Sequence, residues 1–137
     1  MLIEKFEDLE VWQLSRKLTK LIYVYTGSGP FSKDYRFRDQ IRASAGSVMD
    51  NIAEGFGRGG NKELINFLAI ARGSNEETRS QLYRAIDNAF ITQNEFNEAM
   101  KNADEITKKI SSFVLYLKHS EYKGTRYIKE DESEYGL

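Results

Sequence analysis

The sequence predicts an all-α fold, an antiparallel up-down four-helix bundle, on three observations. Four segments repeat apolar residues in steps of three and four, the spacing that keeps one face of a helix dry. The single proline among 137 residues, Pro30, lies early, so no proline interrupts the chain after it. Short polar or glycine-rich connections separate the segments, and no alternating strand pattern occurs.

The first segment runs from about Asp8 to Tyr25, with Val11, Leu14, Leu18, Leu21 and Tyr25 on one stripe and Arg16, Lys17 and Lys20 on the other side. TGSGP ends it. The second runs from about Lys33 to Glu54, with Ser32 as a candidate N-cap and Phe37, Ile41, Ala45, Val48 and Ile52 as its apolar face. The third follows Asn61, another N-cap residue, and carries Leu64, Phe67, Leu68, Ala71, Leu82, Ile86, Ala89 and Phe90. Continued to about Ile91 it would hold roughly 30 residues and span about 45 Å. The fourth follows Asn94 and repeats Phe96, Met100, Ala103, Ile106, Ile110, Phe113 and Leu117. The period is lost after about Tyr122, and KEDESEYGL closes the chain. The expected division is a bundle domain over 1–119 and a flexible acidic tail over 120–137.

Composition narrows the chemistry. There is no cysteine, which removes disulfides, thiolate metal sites and cysteine nucleophiles, and the one histidine, His119, lies at the end of the last helix. Neither a catalytic centre, a cofactor nor a metal is expected. A serine such as Ser74 has no base near it in sequence beyond carboxylates. Glu54, Glu76 and Glu77 suggest a di-metal carboxylate centre, but the Glu-x-x-His pairs of that design are missing. Glu54 is instead expected to pair with Arg42, Arg58 or Arg72. The N-terminus lacks the basic and apolar regions of a secretory signal, and the longest apolar runs, such as FVLYL at 113–117, are too short to cross a bilayer. A cytoplasmic protein with no membrane partner is the expectation.

GFGRGG contains G-x-G-x-x-G through Gly55, Gly57 and Gly60. In a dinucleotide-binding fold that spacing follows a strand, whereas here QIRASAGSVMDNIAEG has helical period, and no G-K-S/T ending makes it a P-loop. The motif reads as a helix-hairpin turn: Gly55 takes the left-handed conformation at a helix end, and Gly57, Gly59 and Gly60 reverse the chain. Arg58 and Lys62 flank the next helix start, where backbone donors and two cations could hold a phosphate.

Two other stretches ask for packing partners. Ala43 to Ser47 is a run of small residues, and Gly46 costs about 1 kcal/mol of helix propensity relative to alanine. Close approach by a neighbouring helix or a second subunit would compensate. GSNEET breaks the third stripe, placing Ser74, Asn75 and Thr78 where internal hydrogen bonds could fix register; a ligand site is the alternative.

Overall charge is −1, which argues against indiscriminate nucleic-acid binding, yet it is unevenly spread. From Lys33 to Lys62 there are six basic residues (Lys33, Arg36, Arg38, Arg42, Arg58, Lys62) against four acids (Asp34, Asp39, Asp50, Glu54). That row could track a phosphate backbone; on charge alone, a solvated helix face with intrahelical ion pairs is the better explanation. Aromatic residues do not interleave with these bases along the sequence.

FEDLEVWQLSRKL, QIRASAGSVMDNIAEGFGR and FLAIARGSNEE together resemble the four-helix bundle proteins encoded in intervening sequences of bacterial 23S ribosomal RNA genes, over roughly residues 6–118. The resemblance implies a bacterial bundle without known catalysis that assembles as a homo-oligomer, commonly a pentamer. Its fold is also similar to that of the accessory proteins of diversity-generating retroelements, which bind nucleic acid and a reverse transcriptase; those are strongly basic, whereas this chain has pI ≈ 5.9. Asn51, Glu54, Gly55 and Arg58 match the family's turn motif, and Gly73, Ser74 and Glu77 its third-helix motif, read as packing and polar-network positions. The expected function is a non-enzymatic RNA- or DNA-binding or ribosome-associated accessory protein, with Arg36, Arg38, Arg42, Arg58 and Lys62 as phosphate contacts. The alternative is a protein-interaction scaffold that binds no nucleic acid.

Overall fold

The structure, a computed structural model, describes residues 2–120 and 128–129. The helices are α1 (Glu10–Tyr25), the five-residue α2 (Gly29–Lys33), α3 (Tyr35–Gly57), α4 (Asn61–Asp87) and α5 (Gln93–His119). A 3-10 turn at Phe6–Asp8 precedes α1. Two two-residue strands, β1 (Leu2–Ile3) and β2 (Ile128–Lys129), pair antiparallel with Ile3 opposite Ile128. This pair departs from the purely helical expectation and lies partly inside 120–137, expected as a flexible acidic tail. Residues 121–127 and 130–137 of that tail lie outside the described residues.

The four long helices close a ring in which α1 touches α3 and α5, and α4 touches α3 and α5. Partner numbers run in opposite senses at each contact. Thr19 meets Ala45 while Thr26 meets Arg42; Ser47 meets Ser74 while Ser44 meets Gln81; Asn75 meets Thr107 while Tyr83 meets Phe96. Neighbouring helices are therefore antiparallel. The shared core holds Leu18, Ile22, Ile41, Ile52, Leu64, Leu68, Leu82, Ile106 and Phe113, each under 2% exposed. Burying side chains of this size contributes about 1.5–3 kcal/mol each. No helix of the described residues is long and apolar enough to cross a membrane.

The helix ends differ from the sequence expectation in instructive ways. Asp34, not Ser32, caps α3: its Oδ1 accepts from the Phe37 amide at 3.2 Å, while the Ser32 hydroxyl donates to the Gly29 carbonyl. α5 starts at Gln93, one residue before Asn94, and its N-cap is Thr92, which exchanges side-chain and backbone bonds with Glu95 in a capping box. Asn61 is the first residue of α4 rather than its cap, and its buried amide donates to the Leu117 carbonyl at 3.4 Å, linking the start of α4 to the end of α5. α4 stops at Asp87, short of the expected Ile91. Ala89 there takes φ 57°, its amide donates to Ile86 and the Phe90 amide to Ala85, so the chain turns out through a left-handed residue. That turn delivers Phe90 onto Phe31, with ring centroids 5.0 Å apart.

The glycine cluster is a hinge, but its glycines exchange roles. α3 runs through Gly55 and Gly57, and the left-handed residue is Gly59, at φ +90°. Gly55 is helical and buried, and a Cβ on it would lie 2.5 Å from the Phe67 Cβ. What it supplies is room for α4, not backbone freedom.

Candidate nucleic-acid interface

The five expected phosphate contacts do not form one row. Arg36, Arg38 and Arg42 lie on the first two turns of α3, whereas Arg58 follows its last residue and Lys62 lies on the first turn of α4. Arg42 and Arg58 are 16 residues apart, about 24 Å along the axis. At the far end, Arg58 is exposed, its guanidinium 3.9 Å from Glu54 and 5.2 Å from the Phe67 ring centroid.

At the near end the surroundings are aromatic, and Tyr35, Arg36, Phe37 and Arg38 alternate along the chain, against the expectation that aromatic residues do not interleave with these bases. The Arg42 guanidinium sits 4.4 Å from the Tyr23 ring centroid, and its Nε donates to the Thr26 hydroxyl at 2.8 Å. Arg38 lies 5.0 Å from the Tyr35 ring, donates to the Ser32 carbonyl and pairs with Asp39 at 3.0 Å. Arg84, which sequence reasoning did not select, reaches from α4 to 4.3 Å from the Phe37 ring. Arg36 stays exposed. Tyr23 and Tyr35 are 51% and 65% exposed, so each presents ring surface beside a guanidinium. Such rings are the surfaces on which unpaired bases stack.

Next to this cluster an open groove of about 620 Å³ runs along α3, lined by Tyr23, Asp39, Arg42, Ala43, Gly46, Ser47, Asp50 and Asn51. Nothing approaches within 4 Å of the position a Gly46 Cβ would take. Among the described residues no neighbouring helix packs against this glycine, so the expected close approach by a helix is not found there.

The α3–α4 seam uses similar residues differently. The Ser44 hydroxyl is buried 2.8 Å from the Thr78 hydroxyl and donates to Gln81 Oε1 at 2.6 Å. The Ser47 and Ser74 hydroxyls are 2.9 Å apart, and Asn51 donates to both the carbonyl and the hydroxyl of Ser47. Across the next seam Asn75 donates to the Ala103 carbonyl and the Thr107 hydroxyl. Of the motif positions, Asn51, Ser74 and Gly55 thus meet at the helix contact, and Glu77 touches it through a 3.4 Å bond from Gln81. Glu54 and Gly73 face solvent. Among the described residues no three His, Asp or Glu side chains are placed to hold a metal ion.

A family model described as 23S rRNA-intervening sequence protein matches residues 7–112. No curated protein matches the sequence. Among solved structures, a protein of unknown function from the S23 ribosomal protein family of Bacteroides thetaiotaomicron is similar, with 25% identity and a TM-score of 0.69 over 76% of this chain and 97% of that one.

Proposed function

The chain belongs to the 23S rRNA-intervening sequence protein family, and from that premise we propose that it is a non-catalytic cytoplasmic accessory protein, homo-oligomeric, that binds RNA or DNA. The observation supporting this reading is the arginine and tyrosine cluster at one end of the bundle, where Arg36, Arg38 and Arg42 stand beside Tyr23 and Tyr35. Arg58 and Lys62 form a second, separate phosphate contact at the other end. With a net charge of −1 a single copy has little long-range attraction for a polyanion. A ring of copies, with five as the number the family resemblance implies, repeats the patch and turns weak contacts into avidity.

Fluorescence anisotropy with labelled structured RNA, single-stranded DNA and duplex DNA, at low and near-physiological salt, tests this. Micromolar or tighter binding that falls with salt and weakens in an Arg36→Ala/Arg38→Ala/Arg42→Ala variant is expected. A specific observation favours the scaffold alternative: Arg38 and Arg42 already spend donors on Ser32, Asp39 and Thr26, and tyrosine with arginine is also the composition of protein interfaces. Absence of binding at low salt would replace the nucleic acid with a protein partner.

A further inference from the structure

We propose that the groove between Tyr23 and Asn51 takes an unpaired nucleobase, with guanine preferred, so that the nucleic acid bound is single-stranded or looped. This rests on the reading just given and specifies what its site accepts.

Charge comes first. Among the described residues Arg42 is the only cation lining the groove, against the carboxylates of Asp39 and Asp50. Asp39 is paired with Arg38, whereas Asp50 is exposed and forms no ion pair with another described residue. Phosphates are therefore disfavoured inside and favoured at the rim, where Arg36 and Arg38 stand. Shape gives the second step. The floor is Ala43 and Gly46, with open space over the glycine, and the wall is the Tyr23 ring held by Arg42. A flat ring can lie on such a floor and stack on such a wall. The volume of about 620 Å³ falls within the ~300–1,000 Å³ of small-ligand sites.

Hydrogen-bonding capacity gives the third step. Proteins that read unpaired bases stack them on aromatic rings and guanidinium planes and bond their Watson–Crick edges. The free acceptor here is the Asp50 carboxylate, with two oxygens and no donor. Guanine presents two adjacent donors on that edge, N1–H and the N2 amino group, which match a carboxylate in a bidentate pair. The other bases present fewer donors there. Asn51 donates its amide nitrogen to Ser47, and its single carbonyl oxygen does not offer the pair of acceptors that a carboxylate does.

The test uses the full chain and 5′-labelled RNA 12-mers: all-uridine, the same with one central guanosine, the same with inosine, and a duplex. The guanosine strand is expected to bind about tenfold or more tighter than all-uridine. Inosine, lacking the N2 amino group, should fall between, and Asp50→Asn should remove the preference while leaving the salt-dependent part. Gly46→Met fills the groove from a half-buried helix position where nothing lies within 4 Å of an added Cβ, and should abolish the preference without lowering the unfolding temperature. Equal affinity for all strands and the duplex, with salt dependence and no effect of Gly46→Met, would overturn the base pocket while leaving nucleic-acid binding standing. No binding of any strand at low salt overturns both. A change of particle mass by light scattering in Gly46→Met would show that a second copy's helix occupies the groove, and also overturns the base pocket.

Discussion

The α3–α4 seam and the α3 groove beside Tyr23 draw on the same small and polar residue types, yet one is closed and the other open. At the seam, Gly55 is there because Phe67 stands against it, and the Ser44, Thr78 and Gln81 side chains satisfy one another. At the groove, Gly46 meets nothing and Asp50 has no ion-pair partner among the described residues. Glycine is less favourable than alanine inside a helix, at Gly46 in the middle of α3 as at Gly55 in its last turn. Among the described residues only the seam offsets that cost, so the groove is where a reason beyond them must be sought. Two tyrosines of α1 repeat the contrast. Tyr25 is buried and donates to Glu98 at 2.9 Å, while Tyr23 is half exposed in the groove.

The largest expected effect concerns Tyr25. Burial first, and then the hydrogen bond to Glu98 and the charges of Glu98 and Glu95, hold its hydroxyl well above the ordinary tyrosine range. Its contribution to stability is therefore intact below the unfolded value of about 10 and is lost as pH rises towards the higher folded value, at up to about 1.4 kcal/mol per pH unit. Chemical denaturation between pH 8 and 12 should show a steeper alkaline decline in the wild type than in Tyr25→Phe. Parallel curves would mean the hydroxyl ionises freely in the fold.

Next comes Gly55→Ala, which places a Cβ 2.5 Å from the Phe67 Cβ. Overpacking of this kind costs about 1–3 kcal/mol, more than the ~1 kcal/mol of helix propensity that alanine brings. Its unfolding midpoint in urea should fall, and a rise would show that the two helices are not in close contact. Ser44→Ala should lose about 1 kcal/mol by leaving Gln81 Oε1 and the Thr78 hydroxyl short of a partner. Gly46→Ala is the counterpart, with an expected gain of about 0.5–1 kcal/mol, and a loss would mean that something covers the groove. Smallest of all is Glu54→Gln: its pair with Arg58 is 3.9 Å long and over half exposed on both sides, so the midpoint should move by less than about 0.5 kcal/mol.

Much of this architecture was legible in the residues, because long stripes such as Phe96 to Leu117 report one helix face without knowledge of the rest of the chain. What a single stripe cannot report is the partner. The helical role of Gly55 depends on Phe67, twelve positions on, and the pairing of Tyr23 with Arg42 depends on α1 and α3 being neighbours. The contact of Arg84 is hidden from the sequence for the same reason: its ring, Phe37, belongs to another helix. The end of α4 was placed too late because Ala89 and Phe90 continue the apolar period, while the backbone leaves the helix at a left-handed alanine. Asn94 is a capping residue by type, but the cap is Thr92, which has a glutamate three places on to complete the box. The β1–β2 pair is two residues long on each side and carries no periodicity to be read.

The most direct test of the central claim, that the tyrosine and arginine end of α3 and its groove form the nucleic-acid surface, is an amide-resolved NMR titration with the guanosine-containing 12-mer. The account predicts shifts concentrated at Tyr35, Arg36, Gly46, Ser47 and Asp50, with Gly55 and Ala71 in the closed core unmoved. Shifts confined to Gly59, Gly60 and Lys62 at the opposite end would contradict it.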